Sequence, residues 1–477
     1  MSTNRGAHLL RHFPLPLLCA ALVAALGLLW KVRRIPIALP FVYADALAAF
    51  VIATLCAGLV LAYVARSDWP SPVVLRVLGI ATLATAACLC AIPIASAILL
   101  FAVLALAVAP YIRRPVAAMP LLISGSAALV AAFALTLRGV LRYDDPAAGV
   151  ALDSLVFWFT LLAAVVPALP LTVPDDATDD PWGNVARILC IYPLARLFTL
   201  GPWNEGWSLA AMLLGGGAAC WAALAALTRA TPPARMIAAQ RFFLGLALGA
   251  LGLASSAGVA ASCYALLCYA LVCTTPPAGN RPRWASWVFT GALPLSAPFM
   301  ASWLAIGAAA ASGAIVLAGV LWLAALLRGV ALLLEQPTDG DRASSKLFGR
   351  VYIAVGVLAP PIVAYAIQPI VDQLQGGLTP YGNLSIAPWV GLALLNSGSQ
   401  AITTAPTLAA AGLMLVLVAL VFLLSRLFAR HDQSVTETHE TVQMAGLDRA
   451  TLIADLVRAV PWLRSLGRQK GRDHDAR

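Results

Sequence analysis

Apolar runs close to twenty residues long recur along this chain from about residue 12 to about residue 428, each long enough to cross a bilayer as a helix. Inside lipid every backbone N–H and C=O must be satisfied within the protein, so runs this long and continuous become helices. The chain therefore reads as all-α, a polytopic transmembrane helical protein. Spans are expected near 12–30, 41–64, 75–92, 95–112, 117–137, 150–171, 185–201, 207–228, 235–254, 256–274, 286–310, 312–334, 348–372 and 405–428. The spans at 185–201, with Pro193, and at 286–310, with Pro294 and Pro298, are candidates for broken helices, because proline removes a helical donor.

Composition narrows the function. Charged residues make up 11% of the chain, and the mean hydropathy is +0.88. Only three lysines occur, Lys31, Lys346 and Lys470, and they lie outside the long apolar segments; the five histidines are confined to the terminal regions. A proton relay at membrane depth needs titratable groups there. The net charge of +10 sits largely in short loops, which points to topology and anionic lipid, with no nucleic acid as partner. Nine cysteines form no CxxC pair and read as small buried hydrophobes, so no metal or other cofactor is expected.

The first run, Phe13 to Trp30, is preceded by Arg5 and Arg11 and followed by Lys31, Arg33 and Arg34, and reads as an uncleaved anchor. Basic clusters at Arg66, Arg113/Arg114, Arg229/Arg235, Arg281/Arg283 and Arg426/Arg430 fall in alternate loops, which places both termini in the cytoplasm; Lys31–Arg34, Arg138 and Arg142 oppose that orientation. Four regions are expected: an anchor helix and basic loop at 1–40, a helical core at 41–310, further transmembrane helices at 311–430, and a polar cytoplasmic tail at 431–477. The stretch 385–405 is weakly hydrophobic and reads as a re-entrant or extramembrane connection or a poor fifteenth span. In the tail, Leu447, Leu452, Leu456, Val460 and Leu463 recur at helical spacing, as an amphipathic helix on the membrane or on a partner would.

Several stretches resemble, in order, the antiporter-like membrane subunits of respiratory complex I, Mrp-type cation antiporters and related membrane-bound hydrogenases. Residues Tyr43 to Phe50 resemble that family's "LDGLSAFF"; Val165-Val166-Pro167 with Val173-Pro174-Asp175 resembles "VPFHLWLPDA"; Tyr192 to Arg196 resembles "YGLLR". Arg235 to Ala238 resembles "KRLLAY", and Gly291 to Ser296 with Phe299, Ser302 and Trp303 resembles "GLPPLAGFxSKW". The resemblance implies about fourteen helices with inverted five-helix repeats, a broken helix in each. It also implies a relay, and here the relay positions are stripped. Ala105 stands where the family has a glutamate; Ala163 or Ala164, Ile188, Cys273, and Ala301 or Ser302 stand where it has lysines. Arg187 neighbours Ile188, but an arginine keeps its proton and cannot relay it as lysine does.

The charges left in or near the spans are the candidate ion-path or interface residues: Asp45, Arg187, Arg196, Glu205, Arg241 and Arg328. Asp45 suits a helix first turn, Arg196 is expected to pair with Glu205 or to snorkel, and Arg328 is expected to mark an intersubunit surface. No catalytic residue is assigned. The expected function is an antiporter-like subunit, itself not catalytic, that scaffolds or anchors a multisubunit redox or ion-translocating complex in a bacterial inner membrane. Its partners would be lipid, other integral membrane subunits and a peripheral catalytic module. An independent transporter of a small solute, or a weakly active proton- or cation-translocating subunit, is the alternative.

Overall fold

The computed structural model describes residues 14–65, 71–111, 115–144, 153–170, 180–229, 231–275, 288–291, 293–333 and 342–378. By contacts the chain divides into a unit of Met1–Met414 and a unit of Leu415–Arg477, and every described residue belongs to the first. The expected span at 405–428, the connection at 385–405 and the amphipathic tail lie outside the described residues.

The helices are α1 Pro14–Val32, α2 Ala46–Ala65, α3 Ser71–Leu89, α4 Pro93–Val108, α5 Pro115–Leu137 and α6 Ser154–Ala168. After a broken stretch with α7 Pro181–Ala186 and α8 Tyr192–Arg196 come α9 Glu205–Thr228, α10 Pro232–Leu251, α11 Ser256–Cys273, α12 Ala297–Ala311 and α13 Ile315–Leu333. A bent pair closes the described part: α14 Arg342–Val357, then α15 Ala359–Ile362, a π-helical turn Val363–Ile367 and α16 Gln368–Leu374. Seven of the long helices have the length and apolarity to cross a membrane, and the bent pair makes an eighth. Four shorter apolar helices and the broken stretch supply the remaining counterparts of the expected spans.

One expectation needs correcting at the front of α2. Residues 41–44 are not helical, because Tyr43–Ala44 (β2) pairs antiparallel with Ile37–Ala38 (β1) in a minimal hairpin. Asp45 then caps α2, its Oδ1 accepting from the Ala48 amide at 2.8 Å. Asp153, Asn204, Ser255 and Ser296 cap α6, α9, α11 and α12 in the same way. Five spans thus begin where a short polar side chain satisfies an amide that lipid would leave bare.

Three spans are interrupted. Between Pro181 and Thr199 the chain alternates α and 3-10 turns, with Pro193 supplying no amide to the preceding turn. Between the helical turn at 288–290 and α12, Gly291 and Leu295 adopt left-handed φ values of 75° and 66°. The third interruption was not anticipated: α14 and the helix that follows it are bent by 63° at Leu358, just before Pro360 and Pro361.

The bent pair reaches both other breaks, backbone against backbone. A Cβ at Gly356 would collide with the carbonyl of Leu295, and one at Gly377 with that of Phe198. Helices α9 and α10 approach as closely: Gly215 lies against the Gly249 backbone, Gly245 against Ala219 and Gly252 against Met212. On the same helix, Gly217 has nothing within 4 Å of its would-be Cβ.

Gly245→Ala is expected to lower the thermal midpoint of the detergent-solubilised protein sharply, since two backbones must separate. Gly217→Ala, which adds helix propensity of about 1 kcal/mol in open space, should leave the midpoint unchanged or raised.

Candidate functional site: buried charges at the broken helices

Asp45 and Arg196 meet. Their side chains are 2% and 0% exposed, and Arg196 Nη1 donates to Asp45 Oδ2 in a buried ion pair. The pair joins the start of α2 to the end of α8, the second α-helical piece of the first broken stretch. Three tyrosine rings complete the enclosure, with the guanidinium carbon 4.9 Å from the Tyr43 centroid, 5.2 Å from Tyr143 and 5.4 Å from Tyr192. Arg196 Nε and Nη2 have no hydrogen-bond partner, so the rings' negative faces are what offset the rest of its charge. Tyr192 is held by donating to the Cys88 carbonyl at 2.8 Å.

This geometry corrects the expected partner of Arg196. Glu205 is exposed in the first turn of α9, where its charge favours the helix amino terminus; Asn204 provides the cap.

Arg328 finds its partners within the chain. It is 2% exposed, and its charge is spread over three carbonyls of its own chain: Ala239 at 3.0 Å, Thr290 at 3.2 Å and Phe289 at 3.1 Å. The cause lies in the second break. The carbonyl of Thr290 would accept from residue 294 in a continuous helix, but residue 294 is proline and has no N–H. Arg328 supplies the missing donor, so it braces a break inside the chain. Phe243 covers the guanidinium, its centroid 4.5 Å from the guanidinium carbon.

A third group of buried polar side chains surrounds Tyr269. Its hydroxyl donates to the Asn184 carbonyl at 2.9 Å, and both Arg187 and Arg241 lie within electrostatic reach of it. Arg187 is 6% exposed; its Nε reaches Asn184 Oδ1 at 3.4 Å, while its Nη1 has no partner. Arg241, on α10, donates to the Leu169 carbonyl just past α6. Cys273 is in hydrogen-bonding contact with Tyr269. Gln240 donates to the Val272 carbonyl at 3.1 Å, leaving its own Oε1 buried without a partner.

Most of the positions where the resemblance would put relay residues are buried. Ala163, Ala164, Ile188 and Cys273 are 0–1% exposed, and the Ala163 carbonyl accepts from Ser124 at 2.5 Å. Ala105 is half-buried on α4, and Ser302 turns its hydroxyl back onto the Pro298 carbonyl at 3.0 Å. Among the described residues no group of three or more metal-ligating side chains assembles.

Sequence reasoning missed Arg76 and Asp180. Arg76, on α3, donates to Asp180 at 2.7 Å and to the carbonyls of Leu106 and Ala107 at 2.8 and 2.6 Å. Asp180 is 9% exposed and anchors the first broken stretch to the end of α4 through Arg76. The legible signal was a lone arginine at the start of an apolar run.

Helices interrupted within a bundle of long apolar spans, with arginines at the interruptions, form a fold similar to that of antiporter-like membrane subunits. No family model matches the sequence and no curated protein is significantly similar to it, so the likeness is carried by solved structures. A chain of the Mrp complex from Dietzia sp. DQ12-45-1b matches with a TM-score of 0.67 at 14% identity, over 97% of this chain and 57% of that one. This chain thus spans a little over half the length of that Mrp-complex chain. A chain of Thermus thermophilus respiratory complex I with bound NADH matches with a TM-score of 0.60 at 16% identity, over 77% and 96% of the two chains. A chain of the membrane-bound sulfane sulfur reductase, an archaeal respiratory membrane complex, matches with a TM-score of 0.58 at 16% identity, over 77% and 92%.

Asp45→Asn keeps the cap but strands Arg196, and should cost about 3–5 kcal/mol in unfolding experiments; adding Arg196→Met should recover most of it. Arg328→Met should destabilise the isolated subunit by about 1–3 kcal/mol for each carbonyl left bare, measured by thermal unfolding in detergent.

Proposed function

We propose that the chain is an antiporter-like integral membrane subunit that scaffolds a multisubunit redox or ion-translocating complex and has no proton relay of its own. The observation that carries this reading is the filling of the relay positions. Ala163, Ala164, Ile188 and Cys273 are buried and packed with no ionisable amine among them, and Lys31, the one lysine whose side chain is described, is exposed at the end of α1. Directional proton transfer requires groups whose protonation can be switched. The buried charges that remain do not meet that need: Arg196 is fixed by Asp45 and Arg328 by three carbonyls, and a guanidinium does not release its proton.

The neighbours in structure support the scaffold half of the reading, since each is a chain of a larger membrane complex. On this reading the chain sits in a bacterial inner membrane with both termini in the cytoplasm. It packs against other integral subunits and helps to hold a peripheral catalytic module whose chemistry belongs to the partners.

Purification from native membranes in mild detergent, with identification of co-migrating chains, is expected to yield other integral membrane subunits in fixed stoichiometry. A lone, monodisperse protein that takes up a solute would overturn the proposal and favour an independent transporter.

A further inference from the structure

Helix α1 (Pro14–Val32) is held along one side. Leu18, Ala25, Leu29 and Val32 are buried and pack it chiefly on α2, while Leu17, Val23, Leu26 and Trp30 on its other side are exposed. At its carboxyl end the chain places Lys31, Arg33 and Arg34. Trp30 is 63% exposed there and Arg33 stacks on it, the guanidinium carbon 3.8 Å from a ring centroid. A tryptophan at the end of a span marks the headgroup level, so the three cations stand at the depth of lipid phosphates.

Other arginines at this end of the bundle are treated differently. Arg142 donates to the Leu39 and Pro40 carbonyls of the hairpin that follows α1, and Asp144 meets its charge at 2.8 Å. Arg138, just before it in the chain, is paired with Asp153. Lys31, Arg33 and Arg34 have no carboxylate partner among the described residues. Towards the membrane interior α1 also leaves room beside them: Gly27 is exposed, with nothing within 4 Å of a would-be Cβ, and lies one helical turn from both Val23 and Trp30. A shallow notch flanked by these two side chains therefore leads from the basic cluster along the exposed face of the helix.

We propose that this end of α1 binds one anionic diacyl phospholipid of the phosphatidylglycerol class. Lys31 and Arg34 take the phosphate and its net charge, Arg33 stays on Trp30 and adds its field, and an acyl chain lies over Gly27 between Val23 and Trp30. A zwitterionic lipid offers the same acyl chains, but its own amine offsets the phosphate, so charge selects the occupant. The site requires neither a partner subunit nor proton transfer, and it holds whichever side of the membrane this end faces.

The test uses the full chain in lipid nanodiscs, with an NBD fluorophore attached through Ile35→Cys, an exposed position beside the cluster, in a Cys19→Ser background. Lipids carrying a nitroxide on the acyl chain are doped in as phosphatidylglycerol or as phosphatidylcholine, and quenching is followed against mole fraction. Phosphatidylglycerol is expected to quench at the lower mole fraction, by about five-fold for each cation engaged. Lys31→Gln with Arg34→Gln should bring the two lipids together. Gly27→Leu should weaken the preference without lowering the thermal midpoint, because its side chain enters open space. Arg138→Gln, whose charge is already paired, should leave the preference intact. Equal quenching by the two lipids, or an unchanged preference in the double variant or in Gly27→Leu, would overturn the proposal. If Ile35→Cys does not assemble, native mass spectrometry of unlabelled protein released from mixed-lipid nanodiscs decides. Preferential retention of phosphatidylglycerol that falls in the double variant supports the site, and identical retention by wild type and double variant refutes it.

Discussion

A guanidinium inside a bilayer can neither shed its proton nor reach bulk water, so the protein must surround it with whatever the fold provides. The arrangement around the breaks follows from that requirement. Asp45 meets Arg196 and ties the start of α2 to the first broken stretch; Arg76 meets Asp180 and ties the same stretch to the end of α4. Arg328 meets bare carbonyls and braces the second break. Broken helices are tolerated at membrane depth only where their freed backbone groups are satisfied, and at the second break the Arg328 side chain satisfies them.

The bent α14–α16 segment links these regions. Gly356 lies on Leu295 at the second break, and Gly377 on Phe198, two residues beyond Arg196. Gln373 on α16 accepts from the Ala46 amide and donates to the Val32 carbonyl, reaching the residue next to Asp45. Tyr264 and Thr275 on the α11 side contact the Val355 carbonyl and the Tyr352 hydroxyl of α14. One bent segment therefore packs against both breaks and against the base of the Asp45–Arg196 pair.

The spans within the described residues, two of the three breaks and the fold were legible because they depend on local quantities: run length, proline position and motif order. The partners were not. Asp45 and Arg196 are separated by 151 positions, while Glu205 lay close in sequence and drew the expectation. The partners of Arg328 are carbonyls, which carry no residue identity; Pro294, by removing a donor, was their only trace. The bend at Leu358 was marked by Pro360 and Pro361, inside a run apolar enough to pass for one straight span. Among the described residues, none of the caps, glycine contacts and arginine braces that hold this fold uses a lysine. The fold can therefore persist at 14–16% identity to its structural neighbours.

Retention of the architecture without its relay is tested most directly by reconstituting the purified chain alone into sealed vesicles under a pH gradient and membrane potential, with an internal pH dye reporting flux. The account predicts a proton leak no faster than that of protein-free vesicles. Robust flux carried by this chain alone would contradict it.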